Sequence, residues 1–158
     1  MAERKIFGVG FLLFTINNKI PKLFTIEELK DKAEVKKEKG MLSFPLETFE
    51  EKDKTFENTI KRLLIEEVGV SLSQVDIKGI ASKIFQLIPG RRDIYTVYGF
   101  GLFLGNLSDD FVPADNDVKF SGWKTIEDLC WHKTRSETVP ILEHFIEKHF
   151  QELFGSVS

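Results

Sequence analysis

Apolar residues follow two rhythms along this chain. In residues 4–17 the alternating sets Phe7, Val9, Phe11, Leu13, Thr15 and Ile6, Gly8, Gly10, Leu12, Phe14 are both largely apolar. A strand apolar on both faces belongs in the middle of a sheet. Asn17-Asn18 reads as a turn, and residues 22–26 as a returning partner strand. Residues 75–88 and 94–104 predict a hairpin turned at Pro89-Gly90, with Arg91, Arg92 and Asp93 near its tip. Residues 118–123 read as another strand and 125–129 as a short helix.

The second rhythm is helical. In residues 53–68, Phe56, Ile60, Leu63, Leu64 and Val68 form one apolar arc at about 100° per residue. Asp53 or Thr55 is placed to cap the start, and Gly69 sits where a helix ends in a left-handed residue. Residues 136–154 carry Ile141, Leu142, Phe145, Ile146, Phe150, Leu153 and Phe154 at i, i+3, i+4 spacing, with Pro140 in the first turn. The order strands, helix, strands, helix predicts an α/β fold, a mixed sheet with helices on its faces.

Two segments break these rhythms. Residues 28–40 are dense in charge and end at Gly40, which reads as a loop with solvated charges. Residues 106–117 form an acidic loop holding Asp115 and Asp117. Within the first helix, Glu67 falls inside the apolar arc, between Ile60 and Leu63. A carboxylate there either snorkels to water near the helix end or is held against a cation, because an unpaired buried charge is costly. Glu66 lies at the edge of the arc, one turn after Arg62, which can pair with it.

Composition narrows the picture. The 158 residues suit a single domain spanning 1–158, and 42% hydrophobic content, with 15 Phe, suffices for a core. The net charge of −3 gives no general pull on DNA or RNA backbones. Phosphate binding would therefore need a local device. The lone Cys130 cannot form an internal disulfide, which points to a reducing compartment, the cytoplasm. The apolar run 6–16 lacks a small-residue cleavage site and is too short to span a bilayer, so it reads as a buried strand, not a membrane or export segment. His132, His144 and His149 lack metal-ligand spacing, and neither Ser43 nor Cys130 has a His partner in a nucleophile pattern. Tyr98, Phe103 and Trp123 read as core residues.

At the first helix the sequence resembles the Nudix family. That family's signature is G-x5-E-x7-R-E-U-x-E-E-x-G-U, with U a bulky aliphatic. The run Arg62-Leu63-Leu64-Ile65-Glu66-Glu67-Val68-Gly69-Val70 matches its second half at Arg62, Leu64, Glu66, Glu67, Gly69 and Val70. The run from Gly40 to Pro45 and the run from Asp117 to Leu129, with Trp123, resemble segments on either side of the signature. The resemblance extends from about Phe7 to Phe150. It implies a Nudix-type α/β/α sandwich with a mixed β-sheet. It also implies Mg²⁺ or Mn²⁺ held by Glu66 and Glu67, and Arg62 orienting a helix carboxylate. The activity implied is hydrolysis of a nucleoside diphosphate linked to another moiety, a small-molecule nucleotide derivative. The alternative from another class is a catalytically weak nucleotide-binding or partner-docking module.

The sequence departs from that signature in three places. Leu46-Glu47 stands where many members have Gly-Gly, and the following loop carries one extra residue. The first signature glutamate aligns with Lys54. Leu63 replaces the glutamate after the arginine. A hydrocarbon neither binds a metal nor accepts a proton, so hydrolysis would rely on a carboxylate outside the helix: Glu47, Glu50 or Glu51, or Asp117 from the acidic loop. Asp117 or Asp115 could also complete a metal shell. Glu47, Arg91 and Arg92 are the expected substrate contacts, with solvation as the alternative for the two arginines. The sequence is compatible with an oligomer and names none.

Overall fold

A computed structural model of the chain describes residues 5–17, 20–107 and 111–155. Arg4, Asn18 and residues 108–110 of the acidic loop lie outside the described residues. Seven strands, among the described residues, form one mixed sheet. They are β1 (Ile6–Asn17), β2 (Ile20–Glu28), β3 (Leu42–Ser43), β4 (Leu46–Thr48), β5 (Val75–Ile80), β6 (Ile94–Phe103) and β7 (Val118–Lys124). The main order is β3-β2-β1-β6-β5, with β4 on β1 and β7 on β2. As its two apolar faces require, β1 is central. It pairs in parallel with β6 from Ile6↔Ile94 to Phe14↔Leu102.

The other edge of β1 changes partner along its length. Phe14 to Asn17 pair with β2, whereas Gly8 to Gly10 pair with β4, placing Val9 opposite Glu47. β2 thus diverges from β1 toward β3 and β7.

Side chains from successive β1 positions fill two cores. Val9, Phe11 and Leu13 pack with Ile60, Leu63, Leu64 and Val68 on one face. Leu12 and Phe14 pack with Ile141, Leu142 and Phe145 on the other. Helix α1 (Phe56–Leu63) covers the first face, while α3 (Thr138–Lys148) and α4 (Phe150–Phe154) cover the second. A short α2 (Ile126–Cys130) follows β7. This is the expected α/β/α sandwich. No helix among the described residues is long and apolar enough to cross a membrane.

Three element boundaries differ from the sequence reading. The strand expected over 75–88 ends at Ile80. Beyond it the buried residues Ala81, Phe85 and Ile88 are spaced four and then three apart, which breaks the two-residue alternation of a strand. Phe85 still exchanges backbone hydrogen bonds with Thr96. The C-terminal helix is interrupted at His149 (φ −129°), whose ring packs 4.8 Å from that of Phe100. Residues 28–40 are more than a solvated loop. Glu28 ends β2 fully buried and pairs with Lys37 at 3.1 Å.

Candidate functional site

The chain enters α1 through a single 3-10 turn, Glu51–Asp53. The Glu50 side chain caps that turn, and the Asp53 carboxylate accepts from the Glu50 amide at 2.9 Å. Lys54 then adopts φ 67°, and Thr55 caps α1 by accepting from the Asn58 amide at 3.1 Å. The extra residue of this loop is absorbed here. As a result Asp53, not Lys54, faces Arg62. The Arg62 Nε and Nη2 donate to Asp53 at 3.2 and 2.9 Å, and Nη2 also donates to the Thr48 carbonyl at 2.6 Å. Nη1 pairs with Glu47 at 3.3 Å and with Glu66 at 3.5 Å. Arg62 thus binds the helix to β4 and to its own entry turn, and its bond with Asp53 holds that carboxyl well below the usual range.

After Leu63 the helix widens into a π turn, Leu64–Val68, closed by Gly69 at φ 82°. Such single turns recur at functional sites because they redirect side chains. Here Ile65 is exposed, while Leu64, Glu67 and Val68 are buried. A Cβ on Gly69 would lie 2.6 Å from the Val112 carbonyl oxygen, so glycine lets the acidic loop close on the helix end. The Asp115 amide donates to the Glu66 carbonyl at 3.1 Å.

Two pairs of carboxylates result. Glu67 is 5% exposed, and Asp115 shares a hydrogen bond with it. Burial, then Asp115, push its carboxyl up to about 9. The Glu67 Oε2 is buried without a hydrogen-bond partner among the described residues. Glu47 shares a hydrogen bond with Glu66, and burial followed by that contact raises it to about 7 against the opposing pull of Arg62. Glu47, Glu67 and Asp115 line a cavity of about 300 Å³, with Lys32, Lys37, Arg135 and Glu137 among its other walls.

Oxygen donors of this kind suit Mg²⁺ or Mn²⁺. The partnerless Oε2 of Glu67 beside Asp115 is what a cation would satisfy. Among the described residues no three His, Cys, Asp or Glu side chains gather closely enough to hold an ion unaided. The fit is therefore to an ion that completes its shell with water and phosphate oxygens, as Mg²⁺ commonly does.

The remaining expected residues lie elsewhere. Asp117 pairs with Lys30 at 2.8 Å and Lys32 at 3.6 Å, and does not line the cavity. Arg91 is occupied by Asp93 at 2.9 Å and donates to the Glu34 carbonyl at 3.0 Å, tying the hairpin to the cavity rim. Arg92 is exposed and also outside the lining. Leu63 is fully buried in the core. Sequence reasoning missed Asp53, Glu28, Lys37, Arg135 and Glu137. The charged pair Arg135-x-Glu137 just ahead of an apolar helix was the available signal for the last two.

Comparison with solved structures places this arrangement. The NUDIX domain of Shewanella oneidensis NrtR complexed with ADP-ribose superposes with a TM-score of 0.67 at 18% identity, over 93% of this chain and 90% of that one. A C. elegans Ap4A hydrolase gives 0.64 at 13% identity, over 90% and 97%. A mutT/nudix family protein from Listeria innocua gives 0.62 at 17% identity, over 96% and 98%. The chain has the Nudix fold. No family model matches the sequence, nor does any curated protein. At this level of identity the likeness defines the fold, and the chemistry must come from the chain's own residues.

Proposed function

We propose that this protein is a metal-dependent hydrolase that cleaves the pyrophosphate bond of a nucleoside diphosphate linked to another moiety. The observation that carries this reading is Glu67. A buried carboxylate beside Asp115 in the cavity wall, with an oxygen left without a partner among the described residues, is costly unless a cation uses it. Glu66 and Glu67 would hold Mg²⁺ or Mn²⁺, with Asp115 adding oxygen from the acidic loop. The ion, when bound, neutralises phosphate charge and stabilises the leaving phosphate.

The chain's own groups divide the remaining work. Glu47 lines the cavity and titrates near neutrality, at about 7, which suits a general base. Its carboxylate takes a proton from water as the water oxygen bonds to phosphorus. The bond from that phosphorus to the bridging oxygen breaks, and the leaving phosphate keeps the electron pair. Arg62 orients both Glu47 and Glu66 and is itself fixed by Asp53. The lone Cys130 favours a cytoplasmic setting.

ADP-ribose and diadenosine tetraphosphate, named with the structural neighbours, are the first compounds to test, alongside nucleotide sugars and nucleoside triphosphates. Phosphate-containing products should appear with Mg²⁺ or Mn²⁺, and Glu67→Gln should reduce turnover at least about a hundredfold. Equal turnover with the metal chelated would overturn the reading. One observation favours a second reading, a nucleotide-binding module: Leu63, at the position of a signature carboxylate, is committed to the core. Tight nucleotide binding without turnover of any compound would select it.

A further inference from the structure

A second group of buried charges, of which Lys37, Arg135 and Glu137 line the same cavity and Glu28 lies behind them in the pairing, takes no part in the chemistry above. Arg135 and Glu137 immediately precede α3. The Arg135 Nη2 donates to the Glu137 Oε2 at 2.9 Å, and Nη1 to the Glu28 Oε1 at 3.3 Å. Lys37 pairs with the other Glu28 oxygen at 3.1 Å. Two cations thus face two carboxylates, and the group is already neutral. Yet Glu137, with only 3% exposure, has a buried Oε1 without a hydrogen-bond partner among the described residues, and the buried Nε of Arg135 is likewise unpartnered among them. Leaving a buried acceptor unsatisfied costs about 1–3 kcal/mol.

The charge balance decides what can satisfy it. A second metal ion is disfavoured, because Arg135 already neutralises Glu137 and would repel it. A phosphate is disfavoured by the carboxylate oxygen itself. A neutral hydrogen-bond donor remains. The cavity also has aliphatic walls, Val35, Ile88 and Ile94 among them, against which a ring can lie. Its volume, about 300 Å³, is at the lower end for small-molecule sites.

From this juxtaposition we infer that Glu137 is a specificity-determining residue whose Oε1 accepts a hydrogen bond from a neutral donor on the nucleoside part of the ligand, either an exocyclic amino group or a ribose hydroxyl. The inference rests on the nucleotide reading of the site. Arg135 is a positioning residue: it fixes Oε2 and leaves Oε1 as the free acceptor. A site built to accept a donor rejects analogues that lack it, because the acceptor is then stranded.

The test is calorimetric binding, with Mg²⁺, of ADP and three analogues that each lack one donor: 2′-deoxy-ADP, 3′-deoxy-ADP and purine riboside diphosphate. One of the three should bind the native protein at least roughly tenfold more weakly than ADP. Which one identifies the donor as amino or hydroxyl. Glu137→Leu should bind ADP as weakly as that analogue does, closing the gap, while Glu137→Gln, which keeps an acceptor, should restore part of it. Equal affinity of the native protein for all four overturns the inference without any variant. So does a gap that Glu137→Gln and Glu137→Leu both leave intact. Should Glu137→Leu fail to fold, Glu137→Ala, which also removes the acceptor, makes the same comparison. Failure of the native protein to bind any of the four strikes at the nucleotide reading itself, and the inference falls with it.

Discussion

Glu67 shows how one side chain links folding to chemistry. Burial and the neighbouring Asp115 raise its carboxyl from the ordinary 4.5 to about 9. The folded protein therefore holds this proton far more tightly than the unfolded chain does. The associated stability is fully present below about 4.5 and is lost as pH rises through about 9. In metal-free protein, Tm should fall across that window. Glu67→Gln mimics the protonated acid, so it should flatten the decline and raise Tm by at least about 3 °C at pH 8. Thermal melts of both proteins from pH 5 to 9 without metal read this directly; parallel curves would show that Glu67 is ionised in the fold without penalty. The variant gains stability while losing the oxygen the proposed chemistry needs. Arg62 is a different case. Its guanidinium is satisfied by Asp53, Thr48, Glu47 and Glu66, which makes it an organiser of the site and leaves few donors for a ligand.

At the scale of elements, the region from Glu50 to Gly69 sets the site geometry through three irregularities: the 3-10 entry turn, Lys54 in a left-handed conformation and the π turn. Lys54 at φ 67° is the most direct to probe, since a non-glycine residue there carries strain of about 1 kcal/mol or more. Lys54→Gly should relieve it and raise unfolding free energy by roughly 0.5–1 kcal/mol in denaturant melts, after the entropic cost of glycine is offset. A loss of stability would mean that the Lys54 side chain makes a contribution its backbone conceals. These irregularities mark the limit of what periodicity reveals. The central strand, the apolar arc of α1 and a mixed sheet with helices on its faces were legible, because each follows from a repeat of two or of 3.6; the arc marked Glu67 but left open whether it is buried or reaches water, and the sandwich was implied by the resemblance. The role of Asp53 was not legible, since the spacing from Arg62 places Lys54 at the signature position and only a left-handed residue shifts the register. Nor was the Glu28, Lys37, Arg135 and Glu137 group, whose members lie on three separate segments. Charge pairing across such distances leaves no periodic trace, so Lys37 and Glu28 read as solvated.

For the whole molecule, the decisive feature is that β1 exchanges β2 for β4 along one edge, so that a carboxylate on β4 reaches the helix end. Of the four carboxylates that sequence offered as a substitute for the one lost at Leu63, only Glu47 has the geometry of a base. It lines the cavity and contacts both Glu66 and Arg62. Glu50 caps the entry turn and pairs with Lys52 at 3.1 Å, Glu51 is exposed, and Asp117 is held by Lys30 and Lys32. In an active preparation, Glu47→Gln should therefore lower kcat by about 10²–10⁴, the usual cost of losing a general base. Glu51→Gln and Asp117→Asn should stay within about threefold of the native rate. Glu50→Ala should cost about 1 kcal/mol of stability through its cap and little turnover. The pH profile provides a check that positioning alone would not move. A base works ionised, so kcat/KM should rise with pH through the apparent pKa of Glu47, which is about 7 in the free protein and falls as a nearby cation binds. Glu47→Gln should remove that limb of the profile. If Asp117→Asn instead causes the larger loss, the acidic loop must move to bring Asp117 into the cavity, and the base belongs there. A profile unchanged by Glu47→Gln, with kcat reduced, would assign Glu47 to orienting Arg62 and leave proton removal to another group.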